Sequence, residues 1–103
     1  MMKVEGSQSD RCVRIDGVPL SPARSQDVWN HSPDGFNWGY GGSGPAQLAL
    51  AILLHAGLSP SRATHFHQPF KWDVIAKLSG DFSIDIDVEA WIASQSSDED
   101  LSR

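Results

Sequence analysis

The sequence predicts a single α+β domain in which a small N-terminal antiparallel hairpin sheet packs against three C-terminal helices, the first of them (about 44–56) buried. Three observations lead there. Alternating apolar residues and a tight-turn dipeptide crowd the part before Tyr40, and helical spacing takes over after it. Between the two lies Gly35 to Leu58, GFNWGYGGSGPAQLALAILLHAGL, where an aromatic, glycine-rich loop runs into an almost wholly apolar helix. Strands gathered before helices indicate α+β rather than alternating α/β.

Met1 to Asp10 is polar and contains Gly and Ser, so residues 1–10 read as a disordered tail and 11–94 as the single domain. Arg11 to Ile15 alternates, with Val13 and Ile15 on one face and Arg14 on the other, as a half-buried strand does. Asp16-Gly17 is a hairpin signal, and Pro19 restricts the returning Val18 to Leu20 to an edge. Ser21 to Asp27 is weakly patterned, and Val28-Trp29 can open another strand. Ser32-Pro33-Asp34-Gly35 fits a type I turn. Phe36, Trp38 and Tyr40 alternate with Asn37 and Gly39, which predicts a second hairpin leading into the glycine loop.

In the helix that follows, Ser43 suits the cap, Pro45 the first turn and Gly57 a left-handed C-terminal position. From Ala46 to Leu54 only Gln47 is polar, so no solvent face of any width remains and the helix must be buried nearly all round. Ser59-Pro60 opens a short helical turn reaching His65. Phe70, Val74 and Leu78, with Ile75, make the stripe of a second, amphipathic helix over Pro69 to Leu78. Phe82 and Ile84 alternate briefly. Asp85 to Ser94 reads as a third helix, with Val88, Trp91 and Ile92 inward, Asp85, Asp87 and Glu89 at the positive end of its dipole, and Ser83 or Asp85 as its cap. Residues 95–103 read as an acidic flexible tail.

A chain of 103 residues supports one core, and its apolar fraction of 40% and charged fraction of 20% are those of an ordinary globule. Four Trp is a high number, and Trp29, Trp38, Trp72 and Trp91 fall in four different segments, which suits one shared core. The lone Cys12 makes no intrachain bridge, and no signal peptide or membrane span is legible, so a cytoplasmic location is expected. Eight Lys and Arg against thirteen Asp and Glu give a net charge of −5, which argues against a direct nucleic-acid grip and can complement a basic partner surface.

The motifs that suggest chemistry are incomplete. Gly39-Tyr40-Gly41-Gly42-Ser43-Gly44 matches G-x-G-x-x-G before a helix, but no βαβ unit or ribose-binding acid accompanies it, and no Lys follows as in a Walker loop. What survives is an anion or small-ligand site made of the loop amides of Gly41, Gly42, Ser43 and Gly44 at the helix N-terminus, with Trp38 or Tyr40 stacking on a planar group. Gly41-Gly42-Ser43-Gly44-Pro45 also looks like a nucleophile elbow, but the chain is too small for the sheet an elbow needs. His65 and His67 diverge by about 200° on a helix, so with His55 they read as surface or packing residues and no metal site is expected. Asp85 and Asp87, with Glu89, are first-turn charges rather than a catalytic carboxylate pair.

Gly35 through Ala51, together with Phe70-Lys71-x-Asp73-Val74-Ile75-Ala76 and the closing Ile84-x-Ile86 to Trp91-Ile92, resembles a family of small uncharacterised bacterial, archaeal and phage proteins that form a domain of unknown function. The hallmark resembles G-F-x-W-G-Y-G-G-S-G-P-A-Q-L-A-L-A, and the likeness covers about residues 13–93. The family's Tyr-containing leading strand has no evident counterpart in Met1 to Asp10. The resemblance implies a shared fold and an occurrence in mobile genomes, and it supplies no activity.

The expected function is that of a non-enzymatic, acidic protein-binding module, without cofactor, and a monomer rather than a homodimer. Its most concrete version is a phage or mobile-element inhibitor of a host defence system, anti-CRISPR-like, whose acidic face covers a basic nucleic-acid-binding protein. The competing expectation is a protein that sequesters a nucleotide or other anion at the glycine loop.

Overall fold

A computed structural model describes residues 1–101, with side chains through Gln95. Its strands are β1 (Met2–Ser7), β2 (Cys12–Ile15), β3 (Val18–Pro19) and β4 (Phe82–Ile86), and its helices are α1 (Ala23–Val28), α2 (Ser43–His55), α3 (Pro60–Asp73) and α4 (Val88–Leu101). The four strands form one antiparallel sheet of order β3-β2-β1-β4.

The first ten residues are not a tail. β1 is a central strand, with Val4 opposite both Ile15 of β2 and Ile84 of β4. Val4 is fully buried, and the strand's far end is held by the Gln8 amide donating to Asp81 Oδ1 at 2.7 Å. Polar composition hides this strand because Lys3, Glu5 and Ser7 form the outer row of a sheet with only one face on the core. The β2–β3 hairpin is as expected. Asp16 and Gly17 both have positive φ, 50° and 82°, the geometry that Asp-Gly supplies to a two-residue turn. Asp16 also exchanges bonds with Lys3, its amide donating to Lys3 O at 2.8 Å and its Oδ1 accepting from Lys3 N at 3.0 Å.

No strand forms at Val28-Trp29 or Phe36–Tyr40, so the second hairpin is absent. Ala23 to Val28 instead winds into α1, and the Trp29 amide closes its end on Ser25 O. The expected turn at residues 32–35 is present, with the Gly35 amide donating to Ser32 O at 3.2 Å. Beyond it, Trp38 N bonds Asn37 Oδ1 and Gly39 N bonds Ile75 O, so local and cross-chain acceptors take the donors a ladder would have used. The inward alternation persists without the strand: Phe36 and Trp38 are buried while Tyr40 is exposed.

α2 is the centre of the core. Every residue from Gly44 to Leu54 is buried, and the same cluster takes in Val4, Val13 and Ile15 of the sheet, Ala63 and Phe70 of α3, and Val88 and Ile92 of α4. The helix ends in a Schellman arrangement, with Gly57 N on Leu54 O and Leu58 N on Leu53 O. Ser43 is not its cap. Gly42, in an extended conformation, holds that position, and Ser43 is the exposed first helical residue.

α3 runs straight through Pro69, where two separate helices were expected. Ser59 caps it, Oγ accepting from Arg62 N at 3.3 Å, with Pro60 at the first position. The acceptor that Pro69 leaves free belongs to His65, an exposed residue whose carbonyl can turn to water. The helix ends at Asp73, and a 3₁₀ turn over Ile75–Lys77 carries the chain to Leu78. Asp85 belongs to β4 rather than α4, and the cap of α4 is Asp87, whose Oδ1 accepts from Ala90 N at 3.0 Å. Neither Ser83 nor Asp85 caps it. The helix continues past Ser94 to Leu101 where a flexible tail was expected, since no Gly or Pro interrupts it, and residues 102–103 of that expected tail lie outside the described residues. The sheet therefore takes its fourth strand from the C-terminal part, and four helices, not three, pack with it.

Candidate functional site

The glycine loop is a scaffold for aromatic rings. The ring of Trp72, from α3, lies directly on Gly41, and the ring of Tyr40 folds back onto Gly42, so closely that a Cβ at either glycine would collide with the ring. The absence of a Cβ at both positions lets the two rings lie against the backbone in this arrangement. Tyr40 is about half exposed, and its hydroxyl accepts from Asn37 Nδ2 at 3.3 Å. Trp38, one of the two residues expected to stack on a ligand, is only 4% exposed. Its Nε1 donates to Gly80 O at 2.8 Å and its ring meets Phe82 edge-on at 4.9 Å, which makes it a core residue.

Among the described residues the amides of Tyr40, Gly41, Gly42, Ser43 and Gly44 donate to no protein acceptor. Ser43 and Gly44 line one end of a cavity of about 190 Å³ with Tyr40, Asn37, Arg11 and Asp34. Arg11 thus reaches the loop through the fold from the β1–β2 turn, and Asp34 brings the opposite charge to the same space.

On the other side of the loop the structure gathers residues with no neighbouring relation in sequence. Lys71 is 7% exposed, donates from Nζ to Gly41 O at 3.2 Å, and stands 4.5 Å over the Trp72 ring. One turn back on α3, His67 is buried, its Nδ1 bonded to Thr64 O and its Nε2 facing His31 Nε2 at 2.9 Å. Trp29 stacks on His31 with centroids 4.4 Å apart. Trp29, Tyr40 and Trp72 are 48%, 49% and 57% exposed. A chain of contacts, called the strip below, links them: Trp29 on His31, His31 against buried His67, Lys71 one turn on between Gly41 O and the Trp72 ring, and Trp72 and Tyr40 on the adjacent Gly41 and Gly42.

Gln47 fixes the Trp29 end of that strip from inside the core. It is fully buried, and its Oε1 accepts from the amides of His31 and Ser32 at 2.8 and 2.9 Å. Its Nε2 donates to Ser25 Oγ and Trp29 O at 2.9 and 3.1 Å. All four hydrogen-bonding positions of the carboxamide are thereby used. The one polar residue in an apolar helix was a legible sign that something must meet it; His31, His67 and Lys71 carried no such sign.

The electrostatics of the strip follow from burial. Loss of solvent holds His31 below the ordinary imidazole value of 6.5, helped by His67 and then Lys71. Burial likewise lowers His67, the bond to Thr64 opposes it, and Lys71 adds to the lowering. Both rings are neutral at pH 7. His65 and His67 diverge on α3 as expected, His65 exposed and edge-on to Phe66, His67 buried. Among the described residues no group of three or more His, Cys, Asp or Glu could hold a metal ion.

The chain belongs to the family of unknown function DUF6166, whose model matches residues 4–94. That span begins inside β1, at Val4. No curated protein and no solved structure matches the chain.

Proposed function

We propose that this member of DUF6166 is a protein-binding module rather than an enzyme, and that it engages its partner through the strip from Trp29 to Tyr40. One observation carries the reading: three aromatic side chains, each about half exposed, are linked through a chain of contacts over buried His67 and Lys71, and each ring is already supported. Trp72 rests on Gly41 and Lys71, Tyr40 on Gly42, and Trp29 on His31. Large aromatics held in place before binding lose little conformational freedom on contact, which is why Trp and Tyr dominate binding energies at interfaces.

Charge refines the partner. The cation beside the rings is Lys71, itself largely buried and bonded to Gly41 O, and no Asp or Glu acts on His31 or His67 among the described residues, so the local field favours a partner that presents an acidic group. The excess negative charge of the chain does not collect on the outer face of the sheet either. There Lys3 is opposite Asp85 and Glu5 opposite Arg14. The inhibitor that covers a basic nucleic-acid-binding surface therefore becomes the competing arm of the test.

Capture experiments compare the wild type, a Trp29→Ala/Trp72→Ala variant and a Glu5→Lys/Asp85→Lys variant, each first shown to be folded by circular dichroism. The expected result is a partner retained by the wild type and the charge variant and lost with the two tryptophans, at a cost of about 2 kcal/mol or more for each ring that serves as an anchor. Equal recovery by the tryptophan variant overturns the strip, and loss only with the charge variant favours a basic partner.

A second reading has one observation in its favour, the convergence of Arg11 with Tyr40, Ser43 and Gly44 around the cavity at the start of α2. Calorimetric titration of mono- and cyclic nucleotides tests it. Heat that is absent in the wild type, or that survives Arg11→Ala, removes the site.

A further inference from the structure

We propose that His31 and His67 form an acid-opened latch that governs how the Trp29 end of the strip is presented. The functional consequence rests on the strip being the binding surface; the latch itself is a property of the free protein.

The bond between the two rings has only one possible polarity. A backbone carbonyl can only accept, so Nδ1 of His67, on Thr64 O, carries a proton, and in the neutral ring Nε2 is a lone pair. His31 Nε2, 2.9 Å away, must then be the donor, and the Gln68 amide at 3.2 Å donates to the same nitrogen. A proton added to His67 Nε2 turns that acceptor into a donor. N–H then faces N–H across 2.9 Å, and Gln68 faces a donor as well.

Around the pair only the Thr64 carbonyl, already bonded to His67 Nδ1, favours the new charge, and burial outweighs it. α3 contributes the Lys71 ammonium, which acts on both rings; α2 contributes the neutral Gln47, and the 29–32 segment contributes Trp29 and Ser32. No Asp or Glu acts on either imidazole among the described residues. The rings must part. His67 is 1% exposed and fixed within a helix, whereas His31 sits on a surface segment, so His31 is the ring that moves. Trp29, stacked on it, loses its support.

The backbone stays where it is. Gln47 holds the amides of His31 and Ser32 and the carbonyl of Trp29 with groups that do not titrate. The result is a side-chain switch on a pinned segment, closed at neutral pH and opening below 6.5, the side to which burial and Lys71 push both rings.

The test follows the imidazole signals and the Trp29 indole N–H by NMR in the free protein from pH 7.5 to 4.5. Expected is a Trp29 shift that tracks His67 with a midpoint below 6.5, since a proton on His31 Nδ1 leaves its Nε2–H donating, with the backbone amides of His31 and Ser32 unmoved. That shift should vanish in His67→Gln and, independently, in His31→Gln, where the change falls on the more exposed partner. A Trp29 signal that is flat across the range, or a shift that persists in both variants, overturns the latch. A partner whose capture ignores Trp72→Ala overturns the strip while leaving this titration intact, so the two failures are told apart.

Discussion

α2 and the strip lie against one another and are held by opposite means. From Leu48 to Leu54 α2 is Leu, Ile and Ala, enclosed on all sides and stabilised by burial that has no direction. The strip is anchored by buried polar groups, Gln47, His67 and Lys71, each with particular partners. The first kind of region fails by losing volume. The second fails by losing a single donor or a single proton, which makes it the part of the molecule that solution conditions can address.

The largest effects should come from the apolar side. Leu50→Ala and Leu53→Ala, both at positions with no exposure, should each cost about 2–5 kcal/mol in urea or thermal unfolding, a large share of the stability of a small domain. Unchanged midpoints would mean that α2 is not the centre of the core. Next comes Gln47→Leu, which keeps the size and apolar character of the helix but strands the His31 and Ser32 amides and the Trp29 carbonyl. A loss of about 1–3 kcal/mol is expected, accompanied by displaced NMR signals at Trp29 and His31. A neutral outcome would show that water replaces the carboxamide.

Smaller still is the pH effect. Because His31 and His67 are lowered in the folded state, the unfolded chain binds protons first as pH falls. Their contribution is complete above 6.5 and is lost as pH drops through the folded values, so urea midpoints should fall on that side and stay level above it. His67→Gln should flatten the slope. The smallest effect sharpens the electrostatic account: Lys71→Met removes a cation that lowers both rings, and their NMR titrations should move upward.

The two regions also differed in how far they could be read from sequence. α2 was legible because its signals are local: a run of apolar residues, a proline in the first turn and Gly57 at the end. β1 was not, because its outer residues Lys3, Glu5 and Ser7 look like a tail until β4, most of the chain away, supplies the partner. The strand expected at Phe36 to Tyr40 had the right alternation, but the neighbours satisfying its backbone were a side chain and a 3₁₀ turn. Pro69 looked like a boundary because a helix interior normally excludes it, and only the exposure of the preceding turn made room for it. The strip draws Trp29 and His31, Tyr40, and His67 to Trp72 from three segments, so no spacing announced it. Of the expected ligand-stacking pair, Tyr40 reached the surface and Trp38 went to the core.

The position of β1 has a consequence for the order in which the molecule assembles. It pairs with a neighbour close in sequence on one side and with Phe82–Ile86 on the other. Closing that second pairing demands that nearly the whole chain come together, and such long-range closure is slow compared with winding a helix. During synthesis, then, the hairpin and α2 can form while one edge of the leading strand stays open, able to pair with any extended segment that passes. The last strand to emerge converts that open edge into an interior one, and a chain interrupted before Phe82 never completes its sheet.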